Sequence, residues 1–438
     1  MRRKTAKPWR AALVAVLLIG CTTEVDGGTD AAPGSDAGAA DAGAPDAGPP
    51  DAGRADSGVV ERDGGHDAGP AVRRIVDFSV GPAGACAVDD RGELLCWGSN
   101  VQGGLAAGDV LGHLEPISVD LGAAVERISY GVSICATTAA PAIFCWGGND
   151  HGTVGNGVAG SVSTRPFELT GPSTSGLLEA GSTMTCVSSI TSGAICWGRN
   201  EDGQLAIGRA GDDQLTPGVA AGDGSRELND IVAVALGDHF ACFQGTGGEL
   251  SCAGQNRVGQ LGLGTTTPSD VALRVMLEVT NVSAARQTAC AVSAEAVYCW
   301  GNNGQRVASP DAVDEVLSPT LVPSVGPATD VVVGAGFACA LTTSGEVRCW
   351  GSRADGALGD GMPIVGETSG PVTVRDLTDV VALDASHLSS VCALNSSGEL
   401  YCWGEDGSSR IGGPPPGGQT LFLDSSVRHV SPVRVDPF

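Results

Sequence analysis

Short apolar runs recur along residues 73–438, and each pair of runs flanks a polar segment of a few residues. In the last such unit, VCAL at 391–394 is followed by NSSG at 395–398 and then by ELYCW at 399–403. Serine, asparagine and glycine favour tight turns, and the flanking residues favour strands. The chain also holds 66 glycines, and glycine weakens a helix by about 1 kcal/mol per site. The pattern therefore predicts β-hairpins and an all-β fold.

Two cysteines mark every hairpin, and a tryptophan follows the second one in six of the seven units. In the fourth unit Ala253 stands in the tryptophan position. With Cys21, the seven pairs account for all 15 cysteines of the chain. The pairs are Cys86 and Cys96, Cys135 and Cys145, Cys186 and Cys196, Cys242 and Cys252, Cys290 and Cys299, Cys339 and Cys349, and Cys392 and Cys402.

The repeat period predicts the architecture. Second cysteines are 47 to 56 residues apart, a period typical of propeller blades rather than helical solenoids. The sequence thus predicts a seven-bladed β-propeller with circular closure by the C-terminal segment. The segment before Cys86 and the tail after Cys402 together have the length of one inter-hairpin linker. We expect residues 430–435 to complete a blade begun near Ile75, which would remove exposed sheet edges.

The cysteine spacing predicts a disulfide within each hairpin. If a hairpin folds at its middle, its two cysteines face each other at about 4.5–5.5 Å between Cβ atoms, near the separation that a disulfide needs. Eight residues separate Cys290 from Cys299, whereas nine intervene in the other pairs, so the fifth turn is expected to be one residue shorter. Buried free thiols are the alternative. Zinc is disfavoured because no CxxC pair or histidine cluster occurs.

The N-terminus predicts export and lipid attachment. Five basic residues precede an apolar run at 11–20 that is too short to span a bilayer. The residues LIGC at 18–21 resemble a bacterial lipobox, which implies a signal peptide at 1–20 and diacylation of Cys21. An ordinary cleaved signal peptide is the alternative. We expect the chain to be exported and held at the cell envelope, at the outer membrane or cell surface, with no other contact with the membrane.

Residues 21–72 are predicted to form a lipidated, disordered linker. Aspartate recurs there every five residues, from Asp36 to Asp56, among alanine, glycine and proline. Such a segment has too little apolar surface to offset the entropy of ordering. Calcium binding is a weaker hypothesis, because calcium needs several oxygens converging on one loop. The domain prediction is therefore 1–20 signal peptide, 21–72 linker and 73–438 propeller.

Acidic charge excludes one class of partner. The formal net charge of the chain is −25, and residues 73–438 hold 18 basic against 39 acidic residues, or −21. Nucleic-acid binding depends on basic surface that replaces counterions. The sequence therefore predicts no nucleic-acid partner.

The repeats resemble those of the regulator of chromosome condensation repeat family. The fourth repeat has Gly237, Cys242 and GQLG at 259–262, and the sixth has CAL at 339–341, CWG at 349–351 and GALG at 356–359. The resemblance covers about residues 73–438 and implies a seven-bladed propeller. The founding eukaryotic member of this family is a nucleotide exchange factor that binds chromatin. A basic tail is missing here and export is expected, which argues against that role, whereas a secreted β-lactamase inhibitor of the family sets a precedent for protein binding.

No motif predicts catalysis, a cofactor or a metal. The sequence lacks GxSxG, HExxH and phosphate-loop patterns. None of the six histidines pairs in sequence with a convincing nucleophile, and His239 and His387, which precede first cysteines, are expected to be structural. A catalytic set assembled from several blades stays open, since propellers bring loops together on one axis.

A protein-binding module is therefore the function that the sequence favours. We expect a monomer that binds an envelope or extracellular protein through propeller-face loops and has no enzymatic activity. The binding residues are unknown; the most divergent loops, 209–229 and 359–370, are the candidates. The alternative is a carbohydrate-binding or carbohydrate-active propeller. It ranks lower because six tryptophans belong to the repeat and few aromatic residues remain to stack on sugars.

Overall fold

The computed structural model describes residues 73–171, 177–189, 193–222, 228–311, 314–368, 370–406 and 428–435. Cys21, the predicted signal peptide and the predicted linker lie outside these residues. The described chain forms seven four-stranded antiparallel sheets, each built from four strands that are consecutive in sequence. The prediction of a seven-bladed all-β propeller is confirmed. None of the described residues form a helix long and apolar enough to cross a bilayer.

The blades follow one another along the chain, and strands are numbered in chain order. Blade 1 contains β1 Ile75–Val80, β2 Gly84–Asp89, β3 Leu94–Gly98 and β4 His113–Val119. Blade 2 contains β5 Val125–Tyr130, β6 Ser133–Thr138, β7 Ile143–Gly147 and β8 Ser163–Glu168. Blade 3 contains β9 Leu178–Ala180, β10 Met184–Ser189, β11 Gly193–Gly198 and β12 Gln214–Val219. Blade 4 contains β13 Ile231–Leu236, β14 Phe240–Gly245, β15 Leu250–Gly254 and β16 Ser269–Met276. Blade 5 contains β17 Val279–Ala285, β18 Thr288–Ser293, β19 Ala296–Asn302 and β20 Glu315–Leu321. Blade 6 contains β21 Ala328–Gly334, β22 Phe337–Thr342, β23 Val347–Gly351 and β24 Val372–Thr373, with a 3-10 turn at Ala354–Gly356 between the last two. Blade 7 contains β25 Val380–Ala385, β26 Ser390–Asn395, β27 Leu400–Glu405 and β28 Arg428–Val435.

All seven cysteine pairs form disulfides within the hairpin of the second and third strands. Each pair is directly opposed in register, as Cys86 is to Cys96. The turn of blade 5 is one residue shorter than the others, as the spacing predicted: Ser293 pairs with Ala296, and only Ala294 and Glu295 lie between them. Both of these residues have positive φ, 49° and 62°, which is the conformation of a type I′ turn.

In blades 2, 3, 5, 6 and 7, the tryptophan of the repeat joins the blade to the preceding one. Trp146 donates its ring N–H to the carbonyl of Gly104 at 2.8 Å, and Trp350 donates to Val307 at 2.9 Å. Equivalent bonds link Trp197, Trp300 and Trp403 to Thr153, Gln260 and Ala357. All six tryptophans of the repeat are at most 1% exposed. The tryptophan of the repeat signature therefore packs one blade against the preceding one.

The expectation for ring closure is wrong in one respect. β28 is the fourth strand of blade 7 and pairs with β27, not with the sheet that begins at Ile75. Each linker between hairpins contains the last strand of one blade and the first strand of the next. The C-terminal tail and the segment before Cys86 correspond to the two halves of such a linker. The tail therefore supplies the last strand of blade 7, and the segment before Cys86 supplies the first strand of blade 1. Blade 7 instead packs on blade 1, where Asp384 accepts hydrogen bonds from Ser79 Oγ at 2.9 Å and Val80 N–H at 2.8 Å.

Candidate binding faces and axial channel

The propeller has two faces that differ in the connections they carry. The turn from first to second strand and the long loop from third to fourth strand lie at the same end of a blade, because Gly84 pairs with Gly98. We call this end the loop face. The hairpin turn from second to third strand lies at the opposite end, where Ile75 pairs with Asp89. We call that end the turn face.

In blades 1 to 5, an asparagine at the start of the long loop fixes the shape of that loop. Asn100 donates to the carbonyl of Asp109 at 3.0 Å, and its Oδ1 accepts from Leu105 N–H at 2.9 Å. Asn149, Asn200, Asn256 and Asn303 make the same two kinds of bond in blades 2 to 5. The long loops of blades 1 to 5 are thus held in shape by their own side chains, as a binding surface on a rigid scaffold needs to be.

Exposed apolar side chains concentrate on the loop face. Among the described residues, eight of the twelve large exposed hydrophobic side chains lie on the long loops of blades 6, 1 and 2. We call these eight the apolar rim: Val101, Val110, Leu111, Val158, Val162, Met362, Ile364 and Val365. Three of them fall within 359–370, one of the two divergent loops that the sequence predicted for binding. The other divergent loop, 209–229, has no residue in the apolar rim. Its one large exposed hydrophobic side chain among the described residues is Val219, on the outer strand β12, and residues 223–227 lie outside the described residues.

A charged network covers the other side of the loop face. His239 Nδ1 lies 2.8 Å from Asp202 Oδ2 and 3.5 Å from Glu201 Oε1, and Arg199 also pairs with Glu201. The hydrogen bond from Arg199 is the main cause that lowers the pKa of Glu201. In the same region His151 lies 3.0 Å from Asp213. These contacts hold blades 2, 3 and 4 together. Because Arg199 already neutralises Glu201, the group is a poor metal site.

An axial channel of about 730 Å³ runs between the first strands of all seven blades. In the part of the chain that the structure describes, its lining has six carboxylates and one guanidinium, that of Arg127. The carboxylates come from five different blades and are Asp77, Glu179, Glu295, Asp330, Asp379 and Asp384. Hairpin-turn residues such as Glu295 and Ser344 line it, so the channel reaches the turn face.

Tight packing narrows the channel at the loop face. A Cβ on Gly131 would lie 2.2 Å from the carbonyl oxygen of Gly181 in the next blade, so only glycine permits this approach. His387 of blade 7 reaches Ser182 of blade 3, with 3.0 Å between Nδ1 and Oγ. These blades lie on opposite sides of the ring, so the contact crosses the axis. The channel is therefore a well, closed at the loop face.

The environment of His387 keeps its imidazole neutral. Burial lowers its pKa below the ordinary value of 6.5, and the nearby Asp238 and Asp384 carboxylates only partly oppose this effect. The Arg286 guanidinium lowers the pKa further. His239 and His387, which were expected to be structural, thus both hold neighbouring blades or opposite blades together. His113 lies 4.0 Å from Asp109 and His429 lies 3.4 Å from Asp406, and His66 lies outside the described residues.

Comparison with known proteins identifies the repeat. Residues 328–356, within blade 6, match the model of the regulator of chromosome condensation (RCC1) repeat. The same cysteine, tryptophan and glycine positions recur in the other blades, with Ala253 as the exception. The chain is thus similar to proteins built from RCC1 repeats. Its alignment with the ultraviolet-B receptor UVR8 of Arabidopsis thaliana has 24% identity over 392 residues, which is 83% of this RCC1-repeat chain and 86% of UVR8.

Other relatives share the repeat or the fold. Human E3 ubiquitin-protein ligase HERC2 is 29% identical over 214 residues, which is 46% of this chain and 4% of HERC2. The structure of yeast RCC1 (Prp20) bound to Kap60 superposes with a TM-score of 0.66 and 17% identity, covering 83% of this chain and 84% of that one. Human WBSCR16 gives a TM-score of 0.65 with 20% identity and covers 78% and 94% of the two chains. These structures show that the RCC1-repeat propeller fold is shared.

The predicted alternative of sugar binding gains little support from the aromatic residues of the repeat. Six of the seven tryptophans are buried between blades, and Tyr130 is 5% exposed. Aromatic faces that stack on sugars need to be open to the ligand. The features that sequence analysis missed are the acidic channel and the bonds around it. Their residues vary from blade to blade in the first strands, so no repeated motif reveals them.

Proposed function

We propose that this chain is a non-enzymatic binding module, tethered at the cell envelope through Cys21, that recognises a protein partner with its loop face. The observation that supports this function is the apolar rim. Large apolar side chains that gather on one face of a monomer are typical of protein interaction sites. The asparagine-capped loops of blades 1 and 2, which carry five of the eight rim residues, favour binding further, because a preformed surface loses little entropy when a partner docks.

The compartment and the relatives are consistent with this proposal. Seven disulfides are typical of a protein that functions in an oxidising environment. Among proteins of the same fold, yeast RCC1 was solved bound to Kap60, and another Prp20p structure is described with its binding to Gsp1p and histones. Those ligands belong to those proteins. They support proteins as the class of partner for this chain.

The test is capture of a partner from envelope extracts by the purified protein and two variants. In the rim variant, Leu111→Asp and Val365→Asp place charges on side chains that are 66% and 72% exposed. In the control variant, Val219→Asp and Leu321→Asp add the same charges on the fourth strands of blades 3 and 5, at 63% and 52% exposure. We expect wild type and control to retain the same protein and the rim variant to lose it.

Two results would contradict the proposal. A partner retained equally by all three proteins would place binding away from the rim. Turnover of a glycan or peptide panel by the purified propeller would show an enzyme instead. Because every substituted side chain is already exposed, the variants are expected to fold, and their circular dichroism checks this.

A further inference from the structure

We propose that the axial well binds an elongated organic polycation of the polyamine class, which enters from the turn face. This site is separate from the loop face and does not depend on the function proposed above. The well lies on the propeller axis, has a volume of about 730 Å³ and is closed at its far end by the contact of His387 with Ser182. Small-molecule sites commonly have about 300–1,000 Å³, so its size suits such a ligand.

The negative charge of the well lining favours a positively charged ligand. Among the described residues, six carboxylates and one guanidinium line the well, which leaves a formal charge of −5 with His387 neutral. A recess of one sign with walls of low dielectric concentrates the field and raises the local concentration of counterions. Glu295 and Asp379 lie at the turn face, whereas Asp384 lies deep in the well. A cation would therefore meet negative charge from the entrance to the closed end.

The spacing of the carboxylates determines the shape of the ligand. Asp77, Glu179 and Asp330 come from blades 1, 3 and 6. Among the described residues, the one group of three acidic or histidine ligands within reach of a single ion is Glu201, Asp202 and His239, on the loop face. A single metal ion in the well therefore has no set of three such ligands. A chain with several ammonium groups can approach several separated carboxylates at once.

A buried acceptor in the wall also requires a hydrogen-bond donor. Gln244 lines the well and is 6% exposed. Its amide N–H donates to the carbonyl of Val279 at 2.9 Å, which fixes the orientation of the amide, and Oε1 has no partner. The equivalent residues of blades 1 and 7, Val88 and Leu394, are apolar and buried. Ammonium groups have donors to spare and no acceptor, so a polyamine would satisfy Gln244.

Apolar surface separates the polar groups of the wall. Phe78, Ile128, Val234 and Val282, all from first strands, line the same cavity as the carboxylates. A polyamine alternates ammonium groups with methylene segments, so its methylenes would cover apolar wall while its ends reach the acids. An inorganic cation offers no such apolar surface.

Calorimetric titration of the whole oxidised protein with spermidine tests the site. We expect 1:1 binding and at least a tenfold loss of affinity in the double variant Glu179→Gln/Glu295→Gln. The control is Asp150→Asn/Asp212→Asn, which removes the same charge from exposed positions on the loop face. Equal affinity in both variants, or no binding of spermidine to wild type, would overturn the proposal. Displacement of spermidine by calcium at equal concentration would also contradict an elongated ligand.

The chemistry of this chain allows the site to be mapped as well. No lysine follows Lys7, so an added polyamine is the main amine available for carbodiimide coupling to carboxylates. Peptide mapping should find the coupled polyamine on Glu179, Glu295 or Asp379 at ligand concentrations that leave Asp150 and Asp212 unmodified. Coupling spread evenly over exterior carboxylates would contradict the assignment. The single variant Glu295→Gln, at an exposed turn, serves if the double variant fails to fold.

Discussion

At the residue scale, special positions in the repeat follow from backbone geometry or from burial. The shorter spacing of Cys290 and Cys299 was enough to predict a shorter turn, because the register of a hairpin fixes the length of its loop. The positive φ of Ala294 and Glu295 follows from that length. Gln244 could not be predicted as an unpartnered acceptor, since its role depends on the neighbouring blade.

The turn of blade 5 gives the first prediction. Ala294 has φ 49°, and a left-handed conformation costs a residue with a Cβ about 1–2 kcal/mol, less for asparagine. Ala294→Asn should therefore raise the free energy of unfolding by about 0.5–1 kcal/mol, measured by urea denaturation. The control is Ala139→Asn at an exposed position without positive φ, where no gain is expected. An equal gain at both positions would mean that turn strain is not the cause.

His387 gives a pH prediction. Its pKa is lowered in the folded protein, so below the ordinary value of 6.5 the unfolded chain binds a proton that the folded chain does not. Stability from this group is therefore full above that pH and decreases as the pH falls toward the folded pKa. The urea midpoint of wild type should fall further than that of His387→Gln between about pH 7.5 and pH 5.5. Parallel profiles for the two proteins would contradict burial of a neutral imidazole.

At the element scale, the hairpin is the unit that the sequence specifies best. Its strands, turn and facing cysteines are all local, so the repeated motif predicted them seven times. The outer fourth strands carry no such motif, and their assignment to blades needed the fold. The misplaced C-terminal strand shows the limit: linker length alone does not reveal that a linker contains strands from two different blades.

Removal of one disulfide tests the contribution of a hairpin. The chain-entropy model assigns about 2–3 kcal/mol to closing a loop of about ten residues. Cys290→Ala/Cys299→Ala should lower the free energy of unfolding by about that amount while leaving the fold intact. The double substitution avoids a stray thiol. No measurable loss by urea denaturation under oxidising conditions would show that the bridge does not stabilise the blade.

At the scale of the whole molecule, closure of the ring depends on packing between blades 7 and 1. Asp384→Ala would leave both Ser79 Oγ and Val80 N–H without their acceptor. Ser283→Ala removes a single bond between blades 5 and 6, the one from Val333 N–H at 3.0 Å. Each buried donor left without a partner costs about 1–3 kcal/mol. Asp384→Ala should therefore destabilise the protein more than Ser283→Ala in thermal or urea unfolding; the reverse order would contradict this view of closure.

The whole account depends most on an exported, tethered and fully oxidised chain. The measurement that tests it directly is the intact mass of the exported protein, alkylated with and without prior reduction. We predict a lipid mass on Cys21 and fourteen cysteines that react only after reduction, in agreement with the seven disulfides. An unlipidated chain whose thiols react without reduction would contradict both the compartment and the envelope role.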